Sequence, residues 1–271
     1  MSNISITGLV AAQQQLQTIS ANVANANTDG FKGQTSKFAS LVGVEGGPGL
    51  GVRVADSVTD FGQGSLRSTG QALDLAISGR GFFVTLTSGA TTTGSSGSAA
   101  GAALDTTSRM TRNGAFKMDK DGYIVDLQGR KLAVEGTTGG QVAAARVDLT
   151  GGASSGFSRI EVRQDGEIFA IYGNNSSATI GKVAVANLQD PSNLVADNNN
   201  NYSYITQAEV PVVKTSSLEG RGSVISGMLE GSNVDLTNQL VDMITAQRNY
   251  QANAKGVSAS DALTQTIINL R

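Results

Sequence analysis

The chain has 271 residues, enough for a sizeable core, and is rich in glycine and poor in charge, with 34 glycines, 3 prolines and 15 % charged residues. It contains no cysteine, histidine or tryptophan, which removes thiol nucleophiles, imidazole bases, disulfides and zinc sites built from thiolate or imidazole; carboxylates, lysines and hydroxyls remain, but no enzyme and no cofactor are expected. A formal charge of −2 offers neither the basic footprint of a nucleic-acid binder nor a polybasic patch for anionic lipid.

The opening "MSNISITGLVAAQQQLQTIS" has no basic n-region and no uninterrupted apolar run, so no cleaved secretory signal is read there. No stretch approaches the roughly 18–20 apolar residues of a membrane-spanning helix, and no membrane insertion is expected. Leu9, Ala12, Leu16, Ile19, Val23 and Ala26 instead follow the a/d spacing of a coiled-coil seam, over a helix of about 22 residues and roughly 33 Å. The same period also fits an ordinary surface helix. The opposite face, Gln13, Gln14, Gln15 and Gln17, is amide rather than charged, which suits a surface that packs on further subunits. Asn22, Asn25 and Asn27 then crowd together before the pattern breaks at Gly30-Phe31.

Residues 43–70 read as extended, with Val52 and Val54 able to join a sheet edge. The period then falls to two. Leu73, Leu75 and Ile77 predict a strand that turns through Ser78-Gly79-Arg80-Gly81 and returns as Phe82, Phe83 and Val84. Asp121-Gly122 and Asp165-Gly166 sit between alternating runs and predict two more hairpins, and "GKVAVANL" another strand. Residues 88–105 and 136–158 are rich in Gly, Ala, Ser and Thr and read as surface loops. "DKDG" at 119–122 carries only a fragment of a calcium-loop ligand set, so no metal site is read there.

Near the other end, Ser232 stands three residues before Asp235 in the spacing of a capping box. Leu236, Leu240, Met243, Tyr250, Ala254 and Val257 keep heptad phase around the polar Gln247, and Ile244, Leu263, Ile267 and Leu270 broaden the stripe. This predicts a helix of about 36 residues, roughly 54 Å long. Two seam-bearing helices at opposite ends of a chain can pair with each other. The expected fold class is therefore α+β: N- and C-terminal helices paired as a coiled coil (1–31 and 230–271), an extended linker (32–71), and a central antiparallel β-rich domain (72–229).

The segments "TGLVAAQQQLQTISANVANANTDGFK" (7–32), "STGQALDLAISGRGFFV" (68–84) and "LEGSNVDLTNQLVDMITAQRNYQANAK" (229–255) resemble, in order, the motifs of the bacterial flagellar axial family of rod and hook proteins. The C-terminal motif and "GLGVRVADSVTDFGQGSLRSTG" look most like hook subunits, whereas the length is more typical of rod subunits. The resemblance implies a hook-type subunit without the outer inserted domain, with a rod subunit as the alternative. It implies a helical homopolymer that transmits torque, encloses an export channel, and lies in the flagellar hook or basal body after signal-independent export. The implied partners are further copies of the chain, neighbouring rod, hook-cap and hook-filament junction proteins, and the flagellar export apparatus.

The family pattern also assigns assembly roles. These fall on Leu9, Leu16, Ile19, Asn22, Val23, Asn25, Asn27, Gly30 and Phe31 at the amino end. At the carboxyl end they fall on Asn233, Val234, Leu236, Leu240, Met243, Arg248, Tyr250 and Gln251. The asparagines would serve inter-subunit hydrogen bonds and helix termination, Gly30 would take a positive φ, and Phe31 would anchor the chain as it turns outward. Two rival classes differ in what they require. A β-rich hydrolase needs paired carboxylates converging in a cleft, and a monomeric binding module needs terminal helices that pack on their own sheet.

Overall fold

A computed structural model describes residues 2–41, 50–87, 108–135, 142–149, 156–163, 165–173, 176–188, 190–197, 200–204, 212–215 and 222–269. The chain divides into two compact units. One comprises 1–27, 32–62 and 233–271, and the other 28–31 and 63–232. The expected loop at 88–105 and the stripe residue Leu270 lie outside the described residues.

In the first unit, helix α1 (Ser2–Ala24) packs against helix α2 (Leu236–Asn269) and against a hairpin of β1 (Gln34–Leu41) and β2 (Gly51–Thr59). The helices run antiparallel, because Ser5 lies against Gly256, Gly8 against Asn253 and Asn22 against Gln239. The hairpin occupies much of what the sequence suggested was extended linker. Its apolar residues are too sparse to alternate, and a bulge between Lys37 and Phe38 shifts the register within it. The start of α2 also differs from the capping-box reading. Asp235, not Ser232, is the N-cap, its Oδ1 accepting from the N–H of Thr237 at 2.8 Å and of Asn238 at 3.3 Å.

The second unit is antiparallel β. Its strands are β3 (Leu66–Ser68), β4 (Leu75–Ser78), β5 (Phe82–Leu86), β6 (Arg109–Thr111), β7 (Lys117–Met118), β8 (Ile124–Val125), β9 (Lys131–Glu135), β10 (Val142–Ala144) and β11 (Phe157–Val162). They continue as β12 (Glu167–Tyr172), β13 (Ser177–Asn187), β14 (Leu194–Asp197), β15 (Asn201–Tyr204), β16 (Val212–Thr215), β17 (Ser223–Ser226) and β18 (Met228–Glu230). The main sheet runs β11-β12-β13-β9-β5-β6-β15-β14, with β10 on β9, β16 on β13, and the β7–β8 hairpin joined through β9. Both Asp-Gly hairpins form, β7–β8 around Gly122 and β11–β12 around Gly166, each glycine at φ 80°.

The hairpin expected across Ser78-Gly79-Arg80-Gly81 does not form. β4 pairs with β17, while β5 pairs with β6, β9 and β13. The reason lies in the composition of β5, "FFVTL", which is buried throughout and so takes sheet neighbours rather than a single hairpin partner. Residues 142–147, read as loop, also add to the sheet: β10 pairs with β9 and Arg146 bridges to Tyr123. The core packs Leu75, Ile77, Phe83, Ile124, Leu132, Ile168, Val185 and Val224, with Phe83 edge-on to Phe116 at 5.4 Å.

A buried charge pair fastens the ends of this unit. Glu230 is fully buried; its Oε2 accepts from Arg112 Nη1 at 3.0 Å and its Oε1 from the Gly64 N–H at 2.9 Å. Arg112 Nη2 donates to Gly79 O at 2.8 Å, and the guanidinium lies 5.3 Å from the centre of the Phe82 ring. The Glu230 carbonyl in turn accepts from the Gly30 N–H at 2.7 Å. Gly30 adopts φ 72°, and a Cβ there would fall 2.4 Å from Asn113 N.

Candidate assembly surface

The face that joins α1 to α2 and to the hairpin is small and polar. On α1 the buried residues are Ala11, Ala12, Thr18, Ile19 and Asn22; on α2, Ala246 is buried, and Gln239, Met243, Asn253 and Gly256 are half-buried. A Cβ on Gly8 would sit 2.9 Å from Asn253 Nδ2, so the two helices approach with no room for a side chain there.

Three side chains of α1 dock the hairpin through hydrogen bonds, spaced so that all lie on one face. Thr7 Oγ1 accepts from the Val52 N–H at 3.3 Å, and Thr18 Oγ1 lies 2.8 Å from Ser36 Oγ. Asn22 does most. Its Oδ1 accepts from the Gln34 N–H at 2.9 Å, and its Nδ2 donates to Gln34 O at 2.8 Å and to Gln239 Oε1 at 3.0 Å. Asn22 thereby completes both main-chain groups of Gln34 as a neighbouring strand would and ties α2 to the same point. Asn233 does the equivalent at the foot of α2, accepting from the Gly33 N–H at 2.8 Å and donating to Asp60 O at 2.9 Å. Lys32, also buried, donates from Nζ to Gly62 O at 2.7 Å.

The predicted seam therefore splits. Ile19 is buried, while Leu9, Leu16, Val23 and Met243 are half-buried. Leu236, Leu240, Arg248, Tyr250 and Gln251 are exposed on α2. Val234 is half-buried, 3.2 Å from where a Cβ on Gly33 would stand. Asn25 donates to Ala21 O at the helix end, consistent with helix termination, and Asn27 is exposed. Phe31 is half-buried. Within the chain the Asn22 amide is engaged by Gln34 and Gln239, because it fits the backbone of Gln34. Nothing in the sequence singles out Gln34 or Gln239, since neither glutamine stands in an apolar pattern; only their amide character was available.

What remains outside is aliphatic. Ile4, Ile6 and Val10 on α1, and Leu236, Leu240, Val241 and Ile244 on α2, are exposed. An open groove of about 520 Å³ lies among α1, α2 and the hairpin, walled by Ile4, Ala11, Phe38, Val52, Ala252 and Asn253. Among the described residues no group of His, Cys, Asp or Glu could hold a metal ion, and no helix is long and apolar enough to cross a membrane.

Two families match the ends of the chain. Residues 3–32 match the one described as "Flagella basal body rod protein", and residues 225–270 the one described as "Flagellar basal body rod FlgEFG protein C-terminal". The chain is similar to flagellar basal-body rod protein FlgG of Agrobacterium fabrum, 28 % identical over 283 residues covering 97 % of this chain and 96 % of the relative. A Bacillus subtilis FlgG is also 28 % identical, over 284 residues covering 98 % and 97 %. Flagellar hook protein FlgE of Escherichia coli is 24 % identical over 413 residues, covering 98 % of each chain.

Proposed function

Because the chain belongs to the bacterial flagellar axial family of rod and hook proteins, we propose that it is a structural subunit that polymerises into a helical tube, transmitting torque and enclosing the export channel. Its place is the flagellum. The observation that carries the reading is the distribution of apolar surface on the paired helices. Small residues and amides, with Ile19, make up most of the buried contact within the chain, while Ile4, Ile6, Val10, Leu236, Leu240, Val241 and Ile244 are exposed. Aliphatic surface of this extent marks an interaction site, and neighbouring copies would cover it.

In this reading Leu236, Leu240, Arg248, Tyr250, Gln251 and Asn27 meet neighbours. Ile19, Asn22, Asn233 and Val234 hold the helices and hairpin in the shape that neighbours recognise, with Leu9, Leu16, Val23 and Met243 at the margin and Asn25 closing α1. Gly30 and Phe31 set the course of the chain after α1. Length favours the rod over the hook as the address: the rod relatives align over 283 and 284 residues, close to the 271 of this chain, whereas the hook relative needs 413. Other axial proteins and the export apparatus are the further partners.

The test is polymerisation of the purified full chain, followed by electron microscopy and by limited proteolysis with a broad-specificity protease. Tubes in which 1–35 and 230–271 resist cleavage, against loss of those segments before the β unit in dilute unassembled chain, are the expected result. A chain that stays monomeric at high concentration, with ends as resistant as its β unit, would refute the reading in favour of a self-contained binding module.

A further inference from the structure

Residues 28–31 belong to a unit from which they are separated in sequence. They lie between α1 and β1, yet they cluster with 63–232, whereas 1–27 and 32–62 belong to the helix-hairpin unit. The chain therefore passes between the units at 27/28, 31/32, 62/63 and 232/233, and the first two passages depend on this short segment.

The β unit has a seat for it. Gly30 turns at φ 72° against the main chain of Arg112 and Asn113, and its N–H donates to Glu230 O at 2.7 Å. Asp29 is held at both its side chain and its main chain. Arg67 Nη2 donates to the two carboxylate oxygens at 3.2 Å, and Asn200 Nδ2 donates to the Asp29 carbonyl at 3.3 Å. Among the described residues Asn200 is the one non-glycine residue at positive φ, 60°. Glycine would serve such a turn without steric cost, so what asparagine adds there is the amide that reaches Asp29. The Asn200 carbonyl accepts from Thr111 Oγ1 at 3.0 Å, and the same hydroxyl oxygen accepts from the Asn113 N–H at 3.1 Å, so the parts of the seat are tied to each other.

These holds are weaker than the sheet beneath them. The Arg67 side chain is 64 % exposed, so its pair with Asp29 lies in water and is screened by salt. The Asn200 bond is long, whereas β5 is buried along its whole length. A segment fastened by a few polar contacts opens at a lower free energy than the apolar core on which it rests.

We propose that Thr28–Phe31 is a releasable strap, latched by Asp29, Arg67 and Asn200. Seated, it fastens the first two passages between the units. It leaves its seat in a local, salt-sensitive opening, which frees α1 and the start of the hairpin from the β unit while the sheet stays folded. All of these contacts lie within the β unit, so the strap operates whether or not the chain polymerises.

The test is residue-resolved hydrogen exchange on the dilute full chain. The Gly30 amide should exchange faster than the amides of β5 and β13, and raising salt from 0.05 to 0.5 M should speed it about twofold or more without moving theirs. Arg67→Gln should remove that salt effect. Asn200→Gly should speed Gly30 exchange about fivefold, the scale of one hydrogen bond, while the thermal midpoint of the sheet holds or rises because glycine suits the turn. Gly30 exchanging in step with β5 and β13 would overturn the strap. So would a salt response that is missing from the parent or survives Arg67→Gln. An Asn200→Gly chain in which Gly30 exchange is unmoved, or in which sheet stability falls in step with it, would show that Asn200 serves its turn alone and would remove it from the latch.

Discussion

Replacing Asn22 by Asp should loosen the helix-hairpin unit by about 2–5 kcal/mol near neutral pH. The side chain is 3 % exposed and uses both ends of its amide. An Asp retains the acceptor for the Gln34 N–H but turns the donor into a second carboxylate oxygen. That oxygen then faces Gln34 O and Gln239 Oε1, formerly 2.8 and 3.0 Å from a donor. Gln239 can rotate its amide and offer N–H; the Gln34 carbonyl cannot. The cost sums a lost hydrogen bond or two at about 1 kcal/mol each and about 1–3 kcal/mol for a buried carbonyl left without a donor. Measured by urea unfolding of the full chain with helix circular dichroism as the signal, the loss should shrink as pH falls. The Asp carboxyl, pressed against carbonyl oxygens, can then bind a proton and donate as the amide did. Asn25→Asp, whose side chain bonds Ala21 O at a half-buried helix end, should cost clearly less. An Asn22→Asp chain as stable as the parent at pH 7, or one whose deficit does not change with pH, would refute this account of the amide.

Gly30→Ala combines a positive φ with a Cβ 2.4 Å from Asn113 N, and should destabilise the β unit by more than about 2 kcal/mol; Gly129→Ala, at φ 79° with open space around it, should cost only about 1 kcal/mol. Equal thermal shifts for the two would contradict the close approach. Glu230→Gln keeps an acceptor for Gly64 but strands the Arg112 guanidinium, for a loss of about 3–5 kcal/mol that Arg112→Met in the same chain should largely restore. Non-recovery in the double variant would mean the pair is not what matters. Burial pushes the Tyr202 phenol up to about 12, against the opposing pull of Arg112. Its contribution of about 3 kcal/mol is therefore intact below pH 10 and lost as pH rises toward 12, where the unfolded chain ionises and the folded one does not. Tyr202→Phe should flatten alkaline unfolding over that range, and superimposable curves would count against it.

What could be read from the sequence was local. Helical period placed α1 and α2, and Asp-Gly between alternating runs placed β7–β8 and β11–β12, because each signal lies within a few residues of the structure it specifies. The partner of β4 is β17, roughly 150 residues away, and nothing in "LAIS" names it. The β1–β2 hairpin escaped because α1 docks it through Thr7, Thr18 and Asn22 rather than its own alternation marking it, and because the unpaired Ala55, opposite the step from Lys37 to Phe38, breaks what alternation exists. For the assembly surface, the heptad identified the right helices but assigned the faces too simply. It could not separate the small residues that join α1 to α2 from the large ones that point away.

That separation says how one chain can hold together when dilute and still assemble when concentrated. In an ordinary helical hairpin Leu and Ile would close the contact and polar residues would face water. Here Ala11, Ala12, Ala246 and Gly8 close it, leaving the unit dependent on hydrogen bonds from Asn22, Thr18 and Asn233, each contributing on the order of 1 kcal/mol. Alanine and glycine contribute little apolar area on burial, whereas covering Val241, Ile244, Leu263 and Ile267 would add about 1.5–3 kcal/mol each. Most of the hydrophobic stabilisation available to these helices is thus reached only when neighbours arrive, so their folding and their assembly are coupled through the same side chains. Enlarging the internal contact should weaken that coupling. Ala246→Leu, on the α1-facing side of α2, would wedge the helices apart, whereas the outward Ile244→Ala should leave the isolated unit nearly unchanged and weaken only the polymer. If Ile244→Ala destabilised the dilute chain as much as it weakened assembly, the division of labour between the two faces would be wrong.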